Sequence, residues 1–322
     1  MPFLQVGLRT DFEAFRSLAR KAVSSLFENL DDKSVSPAQL IIACDVYPLL
    51  LDCLVNDNVQ VAAASMDAIK NSIENFASSP EGIATIFPAD SIDASDLRNL
   101  MAQCSSLGRV RVLALIVKLF LVSPSVVSVI YNSKLLALLE SEVNGANDTF
   151  VTMSVLELLY EMTEVKHVME FLSKTTLLQL TSTLVSNTSM EPILRSRAMI
   201  ICGRVLSKEN TFMFIDETSV RIVISTIEGR LVPSEIGDAD ECESALEALS
   251  QIGSPMQGAT LLLSSTPDAA RFLIGAAFGR QSLGEQRLGK QMAALHVLGN
   301  IAGENRSQNA ILNGDAEENL HA

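Results

Sequence analysis

One apolar signature returns six times along this chain, and it limits the fold more than any other feature. It reads Ser65-Met66-x-x-Ile69, Val112-Leu113-x-x-Ile116, Val155-Leu156-x-x-Leu159, Ala198-Met199-x-x-Cys202, Ala245-Leu246-x-x-Leu249 and Ala294-Leu295-x-x-Leu298. The second residues of successive copies are 47, 43, 43, 47 and 49 residues apart. A period of that length belongs to armadillo and HEAT arrays, in which each repeat is two or three helices that can bury their apolar faces only against their neighbours. The fold class this predicts is all-α, an armadillo/HEAT-type α-solenoid of about six to seven helical repeats.

Superposing the copies gives the signature helix a face. Two residues beyond the anchor stand Ala68, Leu115, Leu158, Ile201, Ala248 and Val297, and three beyond stand Ile69, Ile116, Leu159, Cys202, Leu249 and Leu298. With the anchor and its predecessor these make a wide apolar stripe, as a helix packed on both flanks requires. One residue beyond the anchor the positions are mostly polar: Asp67, Ala114, Glu157, Ile200, Glu247 and His296. Five beyond they are all polar: Asn71, Lys118, Glu161, Arg204, Gln251 and Asn300. Residues four apart share one line on a helix. Stacked repeats would therefore carry two polar ladders along one face, the pattern of the third helix of an armadillo repeat, whose exposed side lines the groove. The candidate partner-binding residues are Asp67, Asn71, Lys118, Glu157, Glu161, Arg204, Glu247, Gln251, His296 and Asn300. Any soluble helix also needs a polar side, so each residue alone carries less weight than the ladder.

Between signatures the same grammar recurs. A polar break such as Ser78-Ser79-Pro80-Glu81-Gly82, Ser123-Pro124-Ser125, Ser207-Lys-Glu-Asn210 or Gly253-Ser-Pro255 supplies N-cap chemistry. A short apolar helix such as Val126 to Tyr131 follows, then a longer one such as Leu135 to Glu142; Leu177 to Val185 and Val220 to Ile227 are its counterparts. Period-2 alternation and Asn-Gly hairpins between strands are absent. Residues 1–55, with helical stretches Phe12 to Asn29 and Pro37 to Val55, read as an irregular N-terminal helical cap. Residues 56–312 read as the repeat array, and 313–322 as an acidic frayed tail.

Composition narrows the function. Hydrophobic residues make up 48% and charged ones 19%, enough apolar surface for a core. Aromatics are 5% with no Trp, which suits helix–helix packing better than a stacking platform for bases. A net charge of −14 argues against nucleic acid and anionic membranes, because phosphate contacts need clustered Lys and Arg. Five cysteines without a CxxC pair suit reduced thiols, with Cys202 at a core position and Cys53 in an apolar helix. Met1 to Arg20 has no unbroken apolar stretch, and the run Val112 to Val122 is interrupted by Lys118 and too short to span a bilayer. A cytoplasmic protein, with the nucleus also open to it, is expected.

Two motifs look like chemistry. Gly284-Glu-Gln-Arg-Leu-Gly289-Lys290 matches a phosphate-loop core, but Gln291 stands where Ser or Thr would hold the metal ion, and no strand precedes it. Glu164-x-x-His167 resembles half of a di-iron helix pair whose other half is missing, and His167 reads as a helix-end residue capping carbonyls. No serine or cysteine has a nucleophile's context. A non-enzyme without cofactor or metal is expected.

Several stretches resemble a known family: Val59-x-Val61-Ala62 to Ser72, Gly82-Ile-Ala-Thr-Ile-Phe87, Asp96-Leu97-x-x-Leu100-Met101, Arg109-Val-Arg-Val112, Leu121-Val-Ser-Pro124 to Leu135-Leu136, and Glu243 to Gly253 with Gln257-Gly258. Residues 55 to 305 are similar to the 26S proteasome non-ATPase regulatory subunit 5 family. The chain is shorter than typical members, and its first 55 residues match less well. The resemblance implies a chaperone that holds the C-terminal domain of one base ATPase subunit during assembly of the regulatory particle base, then leaves before the mature particle forms; a monomer is expected. A different armadillo/HEAT adaptor or scaffold is the alternative. Nuclear import carriers fit poorly, since their grooves use regularly placed Trp.

Overall fold

A computed structural model describes residues 2–28, 37–76, 93–132, 134–145, 148–172, 175–213, 215–231 and 239–265, together with 295, 298 and 299. Among the described residues there are helices and no strand. They fall into two compact units, Met1–Leu158 and Leu159–Ala322. The division lies inside the third signature helix.

Unit 1 contains α1 (Pro2–Arg9), α2 (Glu13–Glu28), α3 (Pro37–Asn56), α4 (Val59–Phe76), α5 (Asp93–Gln103), α6 (Ser106–Val122), α7 (Pro124–Asn132), α8 (Leu136–Gly145) and most of α9 (Thr149–Thr163). Helix α1, absent from the sequence reading, packs on α2 and α3; α2 and α3 pack on α4, and α3 and α4 on α6. Unit 2 continues from the end of α9 with α10 (Lys166–Leu172), α11 (Leu177–Ser186), α12 (Pro192–Leu206), a 3₁₀ turn (Glu209–Met213), α13 (Glu217–Glu228), α14 (Ala239–Ile252) and α15 (Met256–Ser265). Its main packing pairs are α12 on α14, α11 on α12, and α11 on α13.

The fold class is thus all-α and of the armadillo/HEAT type. The first five signatures fall on α4, α6, α9, α12 and α14, each preceded in the complete repeats by a short helix and a longer one. The short member shrinks from α7 to α10 to the 3₁₀ turn. Signature helices of neighbouring repeats touch directly, α4 on α6 in unit 1 and α12 on α14 in unit 2. That contact explains the stripe: Met66, Leu113, Leu156, Met199 and Leu246 are all buried, as are their predecessors and the residues three further on. The sixth anchor departs from the pattern, because Leu295 is 41% exposed while Leu298 is buried.

Helix starts are set by short polar side chains. Asn58 Oδ1 accepts the Val61 N–H at 3.0 Å, Ser105 Oγ the Gly108 N–H at 3.2 Å, and Asp216 Oδ1 the Ser219 N–H at 2.9 Å. Asp148 caps α9 through the Val151 N–H at 3.2 Å and also takes the Ser106 hydroxyl at 2.5 Å and Arg109 Nη2 at 3.1 Å. The Ser106 bond, then the backbone donors, hold its carboxyl below the usual carboxylate range. Ser123 caps α7 as expected, accepting the Val126 N–H at 3.4 Å. Ser207 does not open the next helix. Its hydroxyl donates to the Arg204 carbonyl at 2.7 Å and closes α12 instead. The Ser78–Gly82 break lies outside the described residues.

Helix ends are held by arginines from the next layer. Arg111 of α6 donates to the carbonyls of Leu54, Val55 and Asp57 at the end of α3, at 2.7–3.3 Å. Arg230, just after α13, donates to those of Val185 and Ser186 at the end of α11, at 2.6 and 2.9 Å. A guanidinium offers several donors to carbonyls that a helix C-terminus leaves unsatisfied, and its charge suits the dipole there.

Cys202, on α12, is fully buried, and its thiol lies 3.3 Å from Thr181 Oγ1. Burial pushes its pKa up to about 11. Stability from this group is complete below an unfolded thiol's value near 8.5 and is lost as pH rises through about 11. Native protein at pH 8 is expected to leave Cys202 unalkylated by iodoacetamide, with labelling appearing at the urea midpoint; mass spectrometry of the Cys202 peptide checks this.

Candidate polar-ladder interaction face

The anchor positions point inward, so the residues one and five beyond them point away from the core, and their accessibility follows. Asp67, Glu157, Glu161 and Glu247 are exposed; Asn71, Lys118, Arg204 and Gln251 are half-buried. None of these eight is buried, in contrast to every described residue three beyond the anchor. In unit 1 the face takes in Asp67 and Asn71 on α4, Lys118 on α6 and Glu157 on α9. In unit 2 it takes in Glu161, Arg204 on α12, and Glu247 and Gln251 on α14. His296 and Asn300 lie outside the described residues, as do the Gly284–Lys290 loop and the tail from 313.

Interactions within unit 2 organise the ladder. Gln251 Nε2 donates to Glu247 Oε1 at 3.2 Å, linking the two ladder positions of α14 one turn apart. Arg204 reaches back one repeat to Glu164, with Nη2 and Nε at 2.5 and 2.6 Å from Oε1. The guanidinium of Arg197 lies 4.2 Å from the centroid of the Tyr160 ring and that of Arg204 lies 5.8 Å away, so the ring faces two cations. Sequence reasoning missed Tyr160, Glu164 and Arg197 because they are neither anchors nor ladder positions. Their separation, about one repeat, is the signal that would have found them.

Glu164 of the Glu164-x-x-His167 motif is the carboxylate that pairs with Arg204. His167 does not cap carbonyls as expected. It is the second residue of α10, where the free backbone groups are N–H donors, and its buried Nε2 has no hydrogen-bond partner. Among the described residues no group of three or more His, Cys, Asp or Glu is placed to hold a metal ion, and no helix is long and apolar enough to cross a membrane. Unit 1 also has a recess of about 490 Å³ between the α5–α6 turn and α8, lined in part by Cys104, Arg109 and Glu142. Burial raises the Cys104 thiol pKa, the direction that keeps it a thiol rather than a thiolate.

Comparison with known proteins places this helical array. The profile of a family described as "Proteasome non-ATPase 26S subunit" matches residues 21–207. The chain belongs to the proteasome non-ATPase 26S subunit family. The match spans α3 through α12 and hence four of the signature helices, α4, α6, α9 and α12. No curated protein sequence matches the chain. Among solved structures it is similar to Kap121p in its complex with Pho4p, at 14% identity and a TM-score of 0.41, covering 93% of this chain and 37% of that one. It is also similar to a designed armadillo repeat protein in complex with the peptide (KR)4, at 13% identity and a TM-score of 0.32, covering 92% and 98%.

Proposed function

We propose that this proteasome-family chain is a non-catalytic assembly chaperone of the 26S regulatory particle base, acting in the cytoplasm and also in the nucleus. In this reading the ladder face of the signature helices holds the C-terminal domain of one base ATPase subunit. The observation that carries it is the family match laid over signature helices that, within each unit, bury their anchors and keep their polar positions accessible.

The reading needs no bond to be made or broken. Packed helices with capped ends offer a preorganised surface, which lowers the ordering cost of binding. A held ATPase domain would be unable to dock early on its neighbours. Exposed Glu157, Glu161 and Glu247 would set partner choice and association rate more than affinity, favouring a surface with basic side chains.

The test is capture of individually expressed base ATPase C-terminal domains by the purified full chain. One domain is expected to bind, and mature 26S particles are expected to be absent from pull-downs. Reversing charge in Glu161→Lys with Glu247→Lys should slow association about tenfold at low salt, with little change in dissociation. Failure of every base ATPase domain to bind would overturn the proposal.

A further inference from the structure

The N-terminal end of unit 1 leaves large apolar side chains in water. Phe3 and Val6 on α1, Phe12 just before α2, and Phe15 and Leu18 on α2 are between 61% and 90% exposed. These side chains are held in place. A Cβ on Gly7 would lie 2.9 Å from Ala19 Cβ, so α1 and α2 cross closely there. Phe3 and Phe15 stand one turn from that crossing on their own helices, and Phe12 and Phe15 meet edge to face at 6.2 Å. Beneath them, Arg16 and the fully buried Arg20 both bond Asp57, at 2.7 and 3.3 Å, and Asn58 donates to Glu13 at 2.7 Å. The outer face of α2 is thus fixed from below.

At roughly 150–250 Å² for a large aromatic side chain, the five residues expose on the order of 600 Å² of apolar surface. That is the upper limit of what a monomer leaves bare, and it approaches the roughly 800 Å² per partner of a standard interface.

We infer that this face is a homodimer interface, in which α2 packs antiparallel on α2 of a second copy about a two-fold axis near Phe15 and Leu18. Charge carries the choice of occupant. Exposed Asp11 and Lys21 lie at opposite ends of the stripe, ten residues apart. A two-fold that centres the stripe sets Asp11 of each copy against Lys21 of the other, as an isologous contact requires. Residues 1–28 carry four basic and three acidic side chains, so two copies meeting here bring together nearly neutral segments of a chain whose net charge is −14. The sequence reading of a monomer is revised by this inference, which is independent of the ATPase partner.

Sedimentation of the full chain should show a monomer–dimer equilibrium at concentrations up to about 50 µM. Phe15→Glu with Leu18→Glu should raise the dimer dissociation constant about a hundredfold while leaving the circular dichroism and the melting temperature unchanged. Lys21→Glu should weaken the dimer about fivefold, and adding Asp11→Lys should restore it, a swap that a folding defect cannot mimic. A wild-type chain that stays monomeric over this range, leaving the face to some other protein, would overturn the inference. So would a dimer indifferent to both sets of substitutions.

Discussion

Glu241→Ala is expected to lower the stability of unit 2 by about 3–5 kcal/mol, the cost of leaving one member of a buried ion pair alone. Arg195 of α12 and Glu241 of α14 are each only 9% exposed at the side chain and meet at 2.5 Å. Arg195 also donates to the carbonyls of Thr188 and Met190 in the turn after α11, so one guanidinium ties together three elements. Removing the carboxylate strands a cation that cannot reach water. Urea unfolding followed by circular dichroism would measure the loss, and hydrogen exchange should show α12 and α14 losing protection first. The double variant Arg195→Met with Glu241→Leu should recover most of the loss, since an apolar pair of similar volume is often no worse than the ion pair. Recovery stops short because the Thr188 and Met190 carbonyls then lose their donor. A single variant as stable as the parent would mean that water reaches the pair.

Gly203→Val should cost about 3 kcal/mol, through overpacking against backbone that has nowhere to go. Gly203 faces α14, and a Cβ there would lie 2.7 Å from Ala248 Cα and 2.9 Å from its carbonyl oxygen. Two effects oppose each other in the milder Gly203→Ala. Helix propensity favours alanine by about 1 kcal/mol. The forced separation of α12 and α14 costs about 1–3 kcal/mol and wins, because the whole stripe from Ala198 to Cys202 loses contact with it. Adding Ala248→Gly should rescue only in part, since the nearest obstacles are backbone atoms. Thermal denaturation of the three variants decides the order, and a stabilised Gly203→Ala would show that the layers can slide apart freely.

Both predictions rest on contacts about one repeat apart, and the sequence announced that spacing without naming the partners. Arg195 and Glu241, Arg204 and Glu164, and Arg230 and Val185 are separated by 46, 40 and 45 residues. A period of that length dictates that neighbours in space are neighbours in repeat number. It cannot say which polar residue lies at the right height and angle, because that depends on helix crossing geometry. The stripe itself was legible: periodicity alone identified Leu113, Leu156, Met199 and Leu246 as core. That the ladder positions stay out of the core was legible for the same reason, whereas the engagement of Arg204 by Glu164 and Tyr160 was not. Ser207 shows the limit of local rules, since a serine between two helices can start one or end the other, and here it ends α12.

By itself the sequence determined that the chain is helical, that its layers repeat, and which side of each signature helix is apolar, because a 3.6-residue helix and a repeat of 43–49 residues leave no other way to bury that much Leu, Ile, Val and Ala. Tertiary structure decided which arginine closes which helix and how near α12 comes to α14. It also decided that Phe3, Phe12 and Phe15 stand in water rather than in a core. An apolar residue is buried only when a neighbouring layer covers it, and whether one does is a property of the assembled helices.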